Sequence, residues 1–394
     1  MGSVAVARAS RPPLWRDVRV LRVVGQVLFI AVIVAIAREM YLNATFAIEA
    51  SGRNLSFDYL QNRAGFGIKE TILNYSSNQP FYRAFMAAAT NAMLVAFVGI
   101  ILATVLGLFI GIARLSTNWL VRKVAQVYVE LFRNVPALVQ IVFWYTAVIL
   151  AIPRIQESLS LFDIAFVSNR AAAIPAVRGG SDFGMWGLFV AAGLVGGWFV
   201  WRRRTQVNET TGEPSYRWLW AAGVLVGVAA LGYLVLGDAF FIEVPELGER
   251  RYTGGLQMSP EFAGILLGLT IYTAAFIGEI VRGSILAVSK GQKEAAQALG
   301  LRPGQQLRLV VLPQALRTAV PSITNQYLNL WKNTSLAFII GYPEIVNVSN
   351  TMINQAQHPL ETFVLVVATY LGVSLAISAV MNVFNRLVAL RGGR

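Results

Sequence analysis

The sequence predicts an all-α integral membrane protein with about eight transmembrane helices. Three observations predict it. Hydrophobic residues make up 56% of the 394 and charged residues only 13%, against about 25% charge in an ordinary soluble domain. Apolar runs long enough to cross a ~30 Å hydrocarbon core as helices recur along the chain. Backbone groups in lipid must be satisfied inside the segment, so such runs are helical. Cysteine is absent, which excludes disulfides and thiol chemistry.

The elements follow in order. Residues 1–19 form a basic tail with Arg8, Arg11, Arg16 and Arg19. The first apolar run covers 20–37. Arg38-Glu39-Met40-Tyr41 follows it in place of a small-residue cleavage site, so it reads as a retained span. A mixed polar loop covers 38–88, and the second span covers 90–113. The third, 136–152, follows Glu130-Leu131-Phe132-Arg133-Asn134-Val135-Pro136. The fourth, 184–201, stops at Arg202-Arg203-Arg204. The fifth covers 218–236 and leads to an acidic loop with Asp238, Glu243, Glu246 and Glu249. The sixth, seventh and eighth cover 262–281, 322–340 and 362–384.

Charge orients these spans. The formal net charge is +13, and its distribution reads as a topology signal, not a nucleic-acid surface. With both termini cytoplasmic, 22 Lys and Arg fall inside and 10 outside, while 14 of the 20 acids fall outside. The excess of cations inside is the expected pattern. Glycine pairs spaced by four recur in the spans: Gly107 and Gly111, Gly193 and Gly197, Gly223 and Gly227, Gly264 and Gly268. Such pairs let helices approach closely and read as packing.

One loop stands out. Residues 283–321 are polar and basic yet lie between two apolar spans. Ala295, Ala296 and Leu299 make a narrow apolar stripe on a short helix over 291–299. Gly300 suits the left-handed backbone that ends a helix. Pro303 suits the first turn of the next helix, and Pro313 is expected to end or kink it.

Glu294-Ala295-Ala296, Gly300 and Val310-Val311-Leu312-Pro313 together resemble the coupling loop of ABC importer permeases. Glu130 to Pro136, Gly278 to Gly283, Leu330 to Leu336 and Gly341 to Glu344 resemble further blocks of the polar amino-acid permeases in that family. The resemblance covers roughly 88–150 and 258–386. It implies a type I importer core with a two-helix insertion. Residues 1–87 are then the basic tail, first helix and periplasmic loop. Residues 88–386 are the importer domain, with the inserted segment 152–255 and the coupling loop 283–321. Residues 387–394 are a basic tail. The long insertion and long first loop resemble the general L-amino-acid permease subunits, which work on acidic amino acids and their amides.

The resemblance implies that Glu294, Ala295, Ala296, Gly300, Leu312 and Pro313 dock on a cytoplasmic ATPase dimer, where ATP and Mg are bound. This chain has no GxxxxGK phosphate loop, so it is expected to bind no cofactor and to be no enzyme. The implied partners are that ATPase, a second permease subunit giving a heterodimer, a periplasmic amino-acid-binding protein and membrane lipid, without nucleic acid. The implied place is the bacterial inner membrane.

Lys332 lies inside the seventh span among Asn325, Asn329, Asn333, Thr334 and Ser335. A lysine in the bilayer must face protein or water. Two readings stand side by side: a substrate path lined by this face, or a structural ion pair between Lys332 and Glu279. Gln140, Thr270 and Thr273 are weaker path candidates. Glu130 and Arg133 serve as a gate or an interfacial anchor. His358 is the one histidine, so a metal site or a serine–histidine nucleophile is not expected. The alternative function is a self-contained secondary transporter or channel. It predicts inverted repeats and gives no reason for the coupling loop.

Overall fold

The computed structural model describes residues 18–50, 56–211, 216–248 and 251–388. The two basic tails fall largely outside these ranges. Six described helices are long and apolar enough to span a membrane, and one bent pair adds a seventh. The six are α1 (Val18–Ala50), α2 (Phe81–Ala113), α5 (Phe183–Thr211), α6 (Arg217–Leu236), α7 (Pro260–Leu286) and α12 (Pro359–Val388). The bent pair is α3 (Trp119–Asn134) and α4 (Ala137–Phe143), with α4 running on as a π-helical turn to Ile149.

Two expected spans take other forms. The third, expected over 136–152, is the short helix made by α4 and its π-helical turn, and the chain turns by 105° just before it, between α3 and α4. Pro136 is the N-cap of α4, with extended backbone. The seventh lies in α10 (Leu312–Asn333), which gives way to a 3-10 stretch, Thr334–Ile340. Its polar face keeps α10 out of the strongly apolar set. Pro313 does not end a helix: it sits in the first turn of α10, just past a π-helical turn at Leu307–Val311.

The centre of the bundle is a parallel pair, α2 and α7. Gly99 packs near Leu266, Gly107 against Ile277 and Gly111 against Val281. A methyl on Gly107 would stand 2.7 Å from Ile277. α4 runs antiparallel to α7, with Tyr145 over Gly264 and Ile141 over Gly268. α10 crosses back, placing Leu330 on Gly99. Leu330, Trp331, Ile277 and Leu269 are fully buried here. Lipid tails are as apolar as these side chains, so small residues and hydrogen bonds decide the packing, at ~1 kcal/mol per bond. Tyr128 Oη donates to the Ile271 carbonyl at 2.8 Å, and Trp331 Nε1 to that of Tyr370 at 3.0 Å. Thr104 and Tyr327 share a bond of 2.8 Å.

The insertion is separate in character. α5 and α6 form an antiparallel hairpin, with Gly193 against Leu225, Gly197 against Ala221 and Gly232 against Phe189. Three of the four glycine pairs thus sit at close helix contacts. Gly223 and Gly227 meet nothing within 4 Å. The hairpin rises from a set of short strands that the sequence did not predict. β1 (Leu159–Leu161), β2 (Ala165–Val167), β3 (Ala172–Ile174) and β8 (Leu256–Met258) make one antiparallel sheet in that order. β4 (Ala176–Gly179) pairs with β5 (Phe240–Glu243), and β6 (Glu246–Leu247) with β7 (Tyr252–Thr253). β8 leads directly into α7, whose N-cap Ser259 accepts from Phe262 N at 2.9 Å.

α1 runs beyond the expected span, and its side chains are mostly exposed. The segment after it packs on the bundle: Tyr59 Oη lies 2.8 Å from Thr362 Oγ1 and stacks on His358 at 4.5 Å. His358 Nδ1 meets Glu361 at 3.0 Å. The single histidine is therefore a packed structural residue.

Candidate coupling site and polar face

The loop after α7 folds as a compact unit. α8 (Lys290–Ala298) is followed by Gly300 at φ +73°, the left-handed region. Leu301 N reaches the Ala296 carbonyl at 3.2 Å and Gly300 N that of Gln297 at 2.9 Å. This pair of bonds is a Schellman cap, and it satisfies carbonyls a helix end leaves open. A methyl on Gly300 would touch nothing, so backbone conformation alone demands glycine there. α9 (Pro303–Gln306) then starts on Pro303, and Arg302 N donates to Gln305 Oε1 at 2.9 Å.

α8 shows most of its side chains to the outside. Ala296 is buried, and Val288, Val311 and Ala315 form a small apolar cluster beneath the loop. Glu294, Ala295 and Gly300 are exposed, and Leu299 is 81% exposed. Glu294 has one neighbour of opposite charge, Lys290 at 3.6 Å, and at this exposure such a pair adds little stability. Leu307, Leu309 and Leu312 are also exposed beside it, while Pro313 is half-buried. Arg302, Gly304, Gln305, Arg308 and Leu309 border a hollow of about 640 Å³. The stripe expected on α8 is thus split, with Ala296 turned in and Ala295 and Leu299 turned out.

The expected Lys332–Glu279 ion pair does not form. Glu279 is taken by Arg114 and by Arg282, the latter at 2.6 Å. These groups lie where α2 ends and α7 nears its end, whereas Lys332 closes the opposite end of α10. Sequence places both residues on neighbouring helices but not at the same depth. Lys332 is exposed, as are Asn325 and Asn329. Their spacing of four and three puts them on one face of α10. Asn333 and Ser335 are half-buried at the end of that face. Ser335 Oγ donates to the Lys332 carbonyl at 2.8 Å. Thr334 is buried and donates to the Trp331 carbonyl at 2.8 Å.

Gln140 sits elsewhere. It is buried, and its Nε2 donates to the carbonyls of Phe132 at 2.8 Å and Val135 at 3.0 Å. These lie on either side of the turn before Pro136, so Gln140 holds the bend between α3 and α4. Arg133 lies 5.1 Å over the Phe276 ring, and together with Arg114, Glu130, Asn134 and Glu279 it borders a polar cavity of about 320 Å³. Arg133 thereby ties the segment before Pro136 to α7.

Glu344 closes the Gly341 to Glu344 block, which the sequence gives no site role. It is fully buried, and its carboxylate accepts from Asn347 N at 2.8 Å and Val346 N at 2.9 Å. It thus caps α11 (Ile345–Ala356), and Tyr370 Oη donates to it at 3.3 Å. Burial pushes its carboxyl up to about 7 against these favourable bonds. A polar residue just before an amphipathic run is the signal that points to such a cap.

A bundle of long apolar helices with an exposed polar loop has the build of a membrane-spanning protein. Residues 251–391 match the family described as the binding-protein-dependent transport system inner membrane component. Over 366 residues the chain is 40% identical to the putative amino-acid ABC transporter permease YhdX of Escherichia coli, covering 93% of both chains. It is 39% identical to the general L-amino acid transport system permease AapQ of Rhizobium johnstonii, over 93% of this chain and 91% of that one. The glutamate/glutamine/aspartate/asparagine permease BztB of Rhodobacter capsulatus is 37% identical over 94% and 93%. The chain belongs to the amino-acid ABC transporter permeases. It is a membrane subunit of that family, and the ATPase is a separate chain there.

Proposed function

We propose that this chain is one permease half of an ATP-driven importer that carries acidic L-amino acids and their amides inward across the inner membrane. The observation that carries the reading is α8, a short helix that exposes Glu294, Ala295 and Leu299 around one buried anchor, Ala296. A leucine 81% exposed beside three other exposed leucines suits a partner surface. That partner is the ATPase dimer, which binds ATP and Mg. Its closure moves α8, and the firm Schellman cap at Gly300 passes the motion to α10.

The row Asn325, Asn329 and Lys332 is the second support. A lysine facing lipid costs about 2.5–3.5 kcal/mol, so protein or water covers this face. A second, different permease subunit supplies the cover, and the path for a polar substrate runs between the two. An amino-acid-binding protein delivers substrate at the end that carries Lys332. A cation there suits an anionic or zwitterionic solute. The substrate class follows the relatives, one of which is named for glutamate, glutamine, aspartate and asparagine.

The test is affinity purification of the tagged chain from membranes, with co-purifying subunits identified and ATPase activity assayed. The expected result is recovery of a nucleotide-binding subunit and a second permease. Glu294→Arg should lower recovery of the ATPase while the second permease stays bound. A chain that purifies alone and moves substrate down an ion gradient would overturn the reading. For the substrate class, uptake of labelled L-glutamate should be competed by unlabelled aspartate, glutamine and asparagine. Competition by none of them removes that class.

A further inference from the structure

We propose that the inserted α5–α6 hairpin is a binding site for one anionic phospholipid, with its phosphate on Arg202 and Arg217 and an acyl chain in the groove between the helices. The groove holds about 460 Å³ and is lined by Leu194, Gly197, Trp198, Trp201, Trp218 and Leu225. Gly197 brings the helices together there: a methyl on it would stand 2.9 Å from the Ala221 carbonyl. Three tryptophans stand at one end of the groove, next to the basic end of the hairpin. Amphipathic indoles favour the headgroup level of a bilayer.

The arginines at that end are held ready. Arg202 lies over Trp198 at 5.4 Å, Arg204 over Trp220 at 4.6 Å and Arg217 over Trp201 at 5.9 Å. A guanidinium lying over a ring keeps its in-plane N–H groups free, and that planar fork matches phosphate. Among the described residues, none of Arg202, Arg203, Arg204 and Arg217 forms an ion pair with a carboxylate. Arg217 does reach Thr205 Oγ1, at 3.4 Å.

A third observation is independent of charge. The hairpin leaves Leu194, Trp198, Trp218 and Leu219 each about half or more exposed. Both helices are span candidates, so lipid is the medium that meets this surface. Anionic headgroups add attraction for each nearby arginine.

The experiment is native mass spectrometry of the assembled transporter, titrated with phosphatidylglycerol or phosphatidylcholine of matched acyl chains. The unmodified complex should hold one phosphatidylglycerol in clear preference. Arg202→Gln with Arg217→Gln should lower that preference by about tenfold or more. Ala222→Phe, which fills the groove at an exposed position, should remove binding of both lipids with assembly intact. Preference retained in the arginine pair, or binding retained in Ala222→Phe, overturns the proposal. So does a covered groove: the chain has no cysteine, and Leu219→Cys, at an exposed position beside the groove and carrying a benzophenone maleimide, should crosslink to phosphatidylglycerol on irradiation. Crosslinking to the second permease instead would show that protein fills the groove.

Discussion

Gly300 carries a demand that backbone conformation alone imposes. Its φ of +73° lies where a β-carbon costs roughly 1–2 kcal/mol, although the space around it is open. Gly300→Ala should therefore loosen the cap of α8 without any steric clash. The expected outcome is weaker ATPase recovery and lower uptake, with the membrane bundle unchanged in thermal stability. Gly304→Ala, at an exposed position with ordinary backbone, is the control and should leave both unaltered. Equal loss in both variants would show that bulk, not backbone, matters in this loop. Glu344 makes a second demand, set by protonation. Its raised carboxyl pKa means that the folded state prefers the neutral form. That contribution is full below the ordinary carboxylate value and fades as pH rises from there through about 7. Melting temperature of the purified complex should fall over this window, and Glu344→Gln should flatten the fall. A variant with the same slope as the unmodified protein would assign the effect elsewhere.

The long helices carry the sequence-to-structure link most clearly. Runs such as 262–281 and 362–384 are apolar for longer than any core strand, and each lies inside an observed helix. The loop was equally readable, because Gly300 and Pro303 permit few backbone conformations. Other features had no such signature. The strands of the insertion are two to four residues long, too short to show alternation. The 105° turn at Pro136 depends on Gln140 bonding back to Phe132 and Val135, a tertiary contact. Glu279 pairs with Arg114, and no spacing rule gives the relative depth of two separate helices. Glycine pairs looked alike in sequence but divide in space, and this division is testable. Gly107→Ala would force a methyl into Ile277, and overpacking costs about 1–3 kcal/mol. Gly223→Ala meets nothing and should be neutral or gain up to ~1 kcal/mol in helix propensity. Thermal unfolding in one detergent should show a lowered melting temperature for Gly107→Ala and no lowering for Gly223→Ala. Matching melting temperatures would mean that α2 and α7 separate more easily than their contact implies.

At the scale of the molecule, charge and polarity divide the two ends of the bundle. The end with α8 carries Arg282, Arg302, Arg308 and the hairpin arginines, while the strands of the insertion lie at the other. The positive-inside pattern predicts the first end on the cytoplasmic side, the side on which the proposed ATPase partner would dock. The absence of cysteine from the sequence makes the arrangement open to a direct test. Gly304 and Ser160 are both exposed, one at each end. In intact spheroplasts a membrane-impermeant maleimide should label Ser160→Cys and leave Gly304→Cys unmodified until the membrane is broken. The polar row on α10 then gives the functional half of the argument. Lys332→Ala should lower uptake severalfold while ATPase and partner permease still co-purify, because the residue forms no ion pair among the described residues and its removal leaves no buried charge. Loss of uptake together with loss of the second permease would make Lys332 an assembly contact instead. Unchanged uptake would place the substrate path on another face. Reversed labelling would put α8 outside the cell, where no ATPase could reach it, and the coupling role would fall with the topology.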